Sequence, residues 1–124
     1  MFEIVALVLL SQQPLVPVAE GVASYYTVAS SSRVTASGEM LRDDDFTCAM
    51  IDGEFGTCYL VVAENGNSVV VRLNDRGPYV GKRVIDLSRA AIRKLHPHSG
   101  LVDVRIYPLG KLDPVQQAAL NRRL

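Results

Sequence analysis

Cys58-Tyr59-Leu60-Val61-Val62-Ala63-Glu64-Asn65-Gly66-Asn67-Ser68-Val69-Val70-Val71-Arg72-Leu73-Asn74-Asp75 is the stretch on which the fold turns. Two runs rich in β-branched and aromatic residues, 58–63 and 68–73, flank Glu64-Asn65-Gly66-Asn67. Such residues fit a pleated, half-buried surface. Asn-Gly tolerates the positive φ that a tight type I′ turn needs at both central positions, so the stretch predicts a hairpin with a two-residue tip at Asn65-Gly66. Side chains alternate along a strand, which puts Val69, Val71 and Leu73 on one face and Asp75 one step further along it. With the three apolar residues in a core, Asp75 stands at the rim, and Gly77-Pro78 turns the chain immediately afterwards. A carboxylate at a strand's exit, beside a turn, is well placed to line a groove. Asn, Asp, Gly and Pro are also turn formers, so Asn74-Asp75-Arg76-Gly77-Pro78 reads equally well as a turn on composition alone.

Upstream, residues 21–26 read as a short strand with Val22, Ser24 and Tyr26 on one face. Residues 27–45 form a long polar loop holding Thr35-Ala36-Ser37-Gly38-Glu39. Long ordered loops in small domains often carry function, although a lone Glu39 in such a loop reads equally as a solvated side chain. Residues 46–50 read as a second strand. Downstream, residues 84–86 are strand-like, and Ser88 caps a helix over 89–95 whose Ala91, Ile92 and Leu95 share a face. Pro97 and Gly100 end it. Residues 101–107 form a last strand with Val102, Val104 and Ile106 inward. Asp113-Pro114 opens a C-terminal helix with Pro at its first position, and Arg122 and Arg123 suit its C-terminal end. Many short strands with little helix point to a closed barrel, which leaves no strand edge exposed.

The chain's 124 residues suffice for one domain. Lys plus Arg and Asp plus Glu each number 13. That balance, with the basic residues scattered, argues against a nucleic-acid partner and is compatible with a neutral polymer. No apolar run reaches the roughly 18 residues of a spanning helix. Residues 1–19 read as an apolar leader: a short run at 4–10, broken by Ser11-Gln12-Gln13-Pro14, with Ala19 before Glu20 as a cleavage point. The expected setting is therefore the periplasm, cell envelope or exterior. Cys48 and Cys58 are the only cysteines. A metal site would need further ligands, and the spacing of His96 and His98 matches no zinc pattern, so no metal is expected. A Cys48–Cys58 disulfide fits export, and closing so short a loop would contribute about 2–3 kcal/mol.

Several segments, taken in order, resemble the rare lipoprotein A-like family. They are Gly21-Val22-Ala23-Ser24-Tyr25-Tyr26, Thr35-Ala36-Ser37-Gly38-Glu39, Thr47-Cys48-Ala49-Met50, Phe55-Gly56-Thr57, Asn65-Gly66, Ser68 through Pro78, and Gly81 through Ala91. The resemblance covers about residues 21–109 and implies an all-β fold, a six-stranded double-psi β-barrel with one or two short helices, followed by a helical tail over 110–124. It implies a cell-envelope protein that meets peptidoglycan, by lytic transglycosylase-type cleavage of glycan strands lacking stem peptides or, in other members, by binding alone. Carried over by position, Asp75 and Glu39 are the catalytic acids. The family often has a His in the segment that here ends in Met50, and a thioether cannot shuttle a proton. The cysteines also faintly resemble those of expansins, which share the barrel and loosen walls without hydrolysis.

Two functions are thus expected. In the first, Asp75 delivers a proton to the glycosidic oxygen, Glu39 assists, and a sugar hydroxyl closes an anhydro ring. In the second, the same groove is a wall-binding or wall-loosening module. In both, Tyr25, Tyr26 and Tyr79 are candidates to stack on sugar rings, and Asn74 and Arg76 to hydrogen-bond to them. No cofactor is implied, and a monomer is expected.

Overall fold

The structure, a computed structural model, describes residues 16–31 and 33–124. The apolar run at 4–10 lies outside the described residues. Six strands are present among the described residues: β1 (Ala19–Tyr25), β2 (Thr47–Ala49), β3 (Thr57–Ala63), β4 (Ser68–Asp75), β5 (Arg83–Leu87) and β6 (Val102–Lys111). Two helices, α1 (Arg89–Leu95) and α2 (Pro114–Arg123), follow β5 and β6, and a single 3-10 turn spans Val28–Ser30. The strands close into a barrel in the order β1-β5-β2-β4-β3-β6. The pairs β1–β5 and β2–β4 are parallel and the other four are antiparallel. This is the double-psi arrangement that the sequence led us to expect. No helix among the described residues is long and apolar enough to cross a membrane.

The barrel interior follows from strand phase. Val69, Val71 and Leu73 of β4, Val61 of β3, Ile85 and Leu87 of β5 and Ile106 of β6 are all fully buried in one cluster. Each such side chain contributes roughly 1.5–3 kcal/mol by leaving water. Ser88 caps α1 by accepting from Ala91 N at 3.3 Å, and Ala91, Ile92 and Leu95 join the same core. The outer face of β3 and β4 carries a second cluster, in which Cys58, Leu60 and Val70 pack under Leu120 of α2.

A short β2 explains how α2 docks. With only three residues, β2 cannot pair the outer backbone edge of β4 as far back as Val70, yet buried backbone groups need partners. Asn121 supplies them: its Oδ1 accepts from Val70 N and its Nδ2 donates to Val70 O, both at 2.8 Å. Gln117 Nε2 donates to Phe46 O at 2.9 Å and to Val70 O at 3.1 Å. Residues 110–124 therefore do not trail from the barrel: β6 runs to Lys111, and α2 is bonded to β4.

Two expectations need correction. The hairpin tip is three residues, Glu64-Asn65-Gly66. Gly66 N donates to Ala63 O at 2.9 Å and Ala63 N to Asn67 O at 2.8 Å, and only Gly66, at φ 91°, takes positive φ. This is a type I turn closed by a glycine bulge. The predicted Cys48–Cys58 disulfide is absent, and both cysteines are free and buried. Cys48 pairs with Leu73 and Cys58 with Arg72, from opposite sides of β4. Two strand spacings separate their backbones by about 10 Å, too far for a disulfide. Cys48 also points into the barrel and Cys58 into the outer cluster. Burial raises both thiol pKa values above the ordinary thiol range.

Candidate active site

Where β4 leaves the barrel, its pairing with β2 slips by one residue. Cys48 faces Leu73, but Ala49 faces Asp75, so Asn74 is skipped. On the other side of β2, Ala49 faces Asp86 of β5. Asp75 and Asp86 thus flank one small residue across three neighbouring strands.

The two carboxyl groups sit in different surroundings. Asp75 Oδ1 accepts from Ala36 N and Arg76 N, both at 2.9 Å. Its backbone oxygen accepts from Met50 N at 3.2 Å. Asp75 is therefore fixed from both ends. Asp86 Oδ1 accepts from Ser24 Oγ at 3.1 Å. Burial pushes the Asp86 pKa above the usual carboxylate range and the Asp75 charge adds to that, while the Ser24 hydrogen bond and Arg83 oppose it. Beside the pair, the Tyr26 hydroxyl shares a 2.8 Å hydrogen bond with Thr47 Oγ1, and burial holds its pKa far above that of a free phenol.

Residues 33–41 fold into a small lobe over the exit of β4. Val34 and Met40 form an antiparallel bridge, and Leu41 N donates to Arg33 O at 2.7 Å. The lobe is tied to β4 at successive points: Ser37 N donates to Asn74 O at 3.1 Å, and Ala36 N reaches Asp75. Glu39 is ion-paired with Arg72, whose other terminal nitrogen lies 3.3 Å from Asp45. The sequence-based pair of Glu39 and Asp75 is thus held by one lobe, but the contact of Glu39 is to Arg72, three residues before Asp75.

The expected sugar contacts fall in several places. Tyr26 is buried and offers no ring face to solvent. Tyr25 points away from it, with Arg93 of α1 5.3 Å over its ring. Asn74 is buried under the lobe, and its Oδ1 has no hydrogen-bond partner among the described residues. Arg76 lies 4.2 Å over the Phe55 ring and donates to Gly53 O at 2.7 Å, so it pins the 50–55 loop to the site. Tyr79 is 75% exposed just past the Gly77-Pro78 turn, free to meet a ligand. Met50, where the family often has His, is buried in the inner core.

Asp86 was missed from the sequence. A signal was present: a charged residue between Ile85 and Leu87, both fully buried, in a strand with apolar neighbours. Its link to Asp75 runs through the slip at Ala49, which no local pattern announces.

Comparisons with known proteins agree with this fold. A family model described as a lytic transglycolase of the double-psi β-barrel class matches residues 18–106. A probable endolytic peptidoglycan transglycosylase RlpA of Treponema pallidum is 42% identical over 107 residues, covering 85% of this chain and 33% of that protein. The endolytic peptidoglycan transglycosylase RlpA of Haemophilus influenzae is 42% identical over 92 residues, covering 73% and 32%. The chain thus spans about a third of the length of these curated relatives. Among solved structures, a Streptomyces papain inhibitor matches with a TM-score of 0.58 at 22% identity, over 77% of this chain and 97% of its own. An expansin of Clavibacter michiganensis matches with a TM-score of 0.58 at 21% identity, over 77% and 50%, so both share the fold. By barrel topology, ordered motifs and sequence identity, the chain belongs to the rare lipoprotein A-like (RlpA) family of double-psi β-barrel proteins.

Proposed function

We propose that the chain cleaves peptidoglycan glycan strands by a lytic transglycosylase route, with Asp86 as proton donor and Asp75 as the fixed carboxylate beside it. The observation that carries this reading is the pair flanking Ala49, one carboxyl with a raised pKa and the other held by two backbone N–H groups. Environments that push two carboxyl groups apart assign their roles: the buried one stays protonated to higher pH and serves as acid. As the glycosidic bond breaks, the Asp86 proton passes to the leaving oxygen. The resulting carboxylate then takes the proton of the sugar's own primary hydroxyl as that oxygen attacks the anomeric carbon. An anhydro ring closes, no water is consumed, and Asp86 is again protonated. Asp75, two strands away across Ala49 with its backbone about 10 Å distant, stabilises positive charge building at the anomeric carbon. Glu39 acts through Arg72 by holding the lobe that delivers Ala36 N to Asp75.

In this assignment the proton carrier comes from β5, in place of the imidazole that Met50 does not provide. The same reading puts the protein at the cell envelope, with peptidoglycan strands as partner. Digestion of purified peptide-free glycan strands, read by mass spectrometry, tests it. Anhydro-sugar ends are expected from the parent protein. Asp86→Asn is expected to lower their release by about 10²–10⁴, the scale of general acid–base catalysis. A second reading, a wall-binding or wall-loosening module, is favoured by one observation: Met50 is buried where a proton-carrying side chain would otherwise stand. It predicts strand binding with no new ends.

A further inference from the structure

An open groove of about 450 Å³ lies around the rim from the carboxylate pair. Met50, Tyr59, Val84 and Pro108 contribute apolar lining, and Arg83 and Asp52 supply its charges. The groove adjoins the site at Met50. Met50 lines it while its backbone N–H donates to Asp75 O at 3.2 Å. Arg83 opens β5, three residues before Asp86, or about 10 Å along the strand. Because β2 pairs antiparallel with β5 and parallel with β4, the start of β5 lies at the barrel end where β4 exits at Asp75.

Arg83 is exposed, and its guanidinium makes no hydrogen bond or ion pair among the described residues. Most cations near the site are engaged: Arg72 with Glu39 and Asp45, and Arg76 with Gly53 O and the Phe55 ring. Asp52, also exposed, does not pair with Arg83. Arg83 acts on Asp86 through charge alone, and an exposed guanidinium without an ion-pair partner beside an apolar lining suits a ligand that joins a small apolar group to a carboxylate, with the guanidinium fork matching the carboxylate.

Resting on the glycan reading above, we propose that this groove is a subsite for the lactyl ether of a muramyl residue, with Arg83 pairing its free carboxylate. The lactyl methyl group lies against Met50 and Val84. In a peptide-bearing strand that carboxylate is an amide and has lost its charge, so Arg83 discriminates between bare and peptide-substituted sugars. Asp52 opposes the bound anion and limits the preference.

The test measures dissociation constants in protein carrying Asp86→Asn, so that strands persist during the measurement. Three probes are used: peptide-free strands, the same strands with their carboxyl groups converted to methylamides, and a chitin hexasaccharide. Peptide-free strands are expected to bind about two- to fivefold tighter than the methylamides, the range for a solvent-exposed ion pair. Arg83→Gln should abolish that preference and leave chitin binding unchanged. Asp52→Asn should widen the preference. Equal binding of charged and amidated strands, or a preference that survives Arg83→Gln, overturns the subsite and leaves the glycan reading standing. Binding of none of the probes by any form overturns the glycan reading and the subsite with it.

Discussion

Asp86 carries a cost in stability that its proposed role accounts for. Its folded-state pKa is raised, chiefly by burial and further by Asp75. Between the unfolded carboxylate pKa, about 3.9, and that raised value, the native state binds more protons than the unfolded chain. Stability therefore falls as pH rises through this window, and the deficit persists at neutral pH. Asp86→Asn keeps an oxygen to accept from Ser24 Oγ and removes the charge. We expect it to melt at a higher temperature than the parent at pH 7, with the difference closing near pH 3, while anhydro-end release falls by about 10²–10⁴. A variant that melts lower than the parent at pH 7 would show that the charge is not the destabilising feature. Glu39→Gln weakens the Arg72 ion pair without touching the carboxylate pair. Its loss of cleavage should be well below the 10²–10⁴ expected for a proton carrier. An equal loss would move Glu39 into the chemistry. Asp75 was legible because strand phase counts forward from Val69, Val71 and Leu73. Asp86 was not, because its partnership depends on a slip in pairing 37 residues before it in the chain, at Ala49.

At the scale of elements, local signals gave the two helices and the cores of all six strands, since caps and alternation are short-range. The hairpin tip shows where such signals stop. Asn-Gly suggested a two-residue turn, but Asn65 Nδ2 and Asn67 Nδ2 both donate to Leu95 O at 3.0 Å. The tip is therefore shaped by what it caps, the end of α1, as well as by its own preferences. The docking of α2 was likewise invisible, since it answers an unpaired stretch of β4 created by a short β2. Asn121→Ala would strand the N–H of Val70 and remove one of two donors to its oxygen. Buried groups left unsatisfied cost roughly 1–3 kcal/mol each, so urea unfolding should show a loss of about 1–4 kcal/mol. No loss would mean that water can enter beneath α2 and that the helix does not seal the barrel wall.

At the scale of the whole molecule, the closed barrel decides matters that composition left open. It sets Cys48 and Cys58 on opposite faces of its wall, which no count of intervening residues could reveal. Both thiols should react slowly with an aromatic disulfide reagent in native protein and quickly in denaturant. Two fast-reacting thiols under native conditions, or none after denaturation without reductant, would contradict the buried, reduced arrangement. The barrel also gathers Asp75 and Asp86 from β4 and β5, strands that are not neighbours in its order, onto either side of Ala49. In the proposed reaction this pair cuts a glycan without water. Digestion of peptide-free strands in water enriched in heavy oxygen, followed by mass spectrometry of the new ends, tests it most directly. Anhydro ends carrying no label are expected from the parent protein, with a fall of about 10²–10⁴ in Asp86→Asn. Labelled reducing ends, or unlabelled ends released equally by Asp86→Asn, would contradict it.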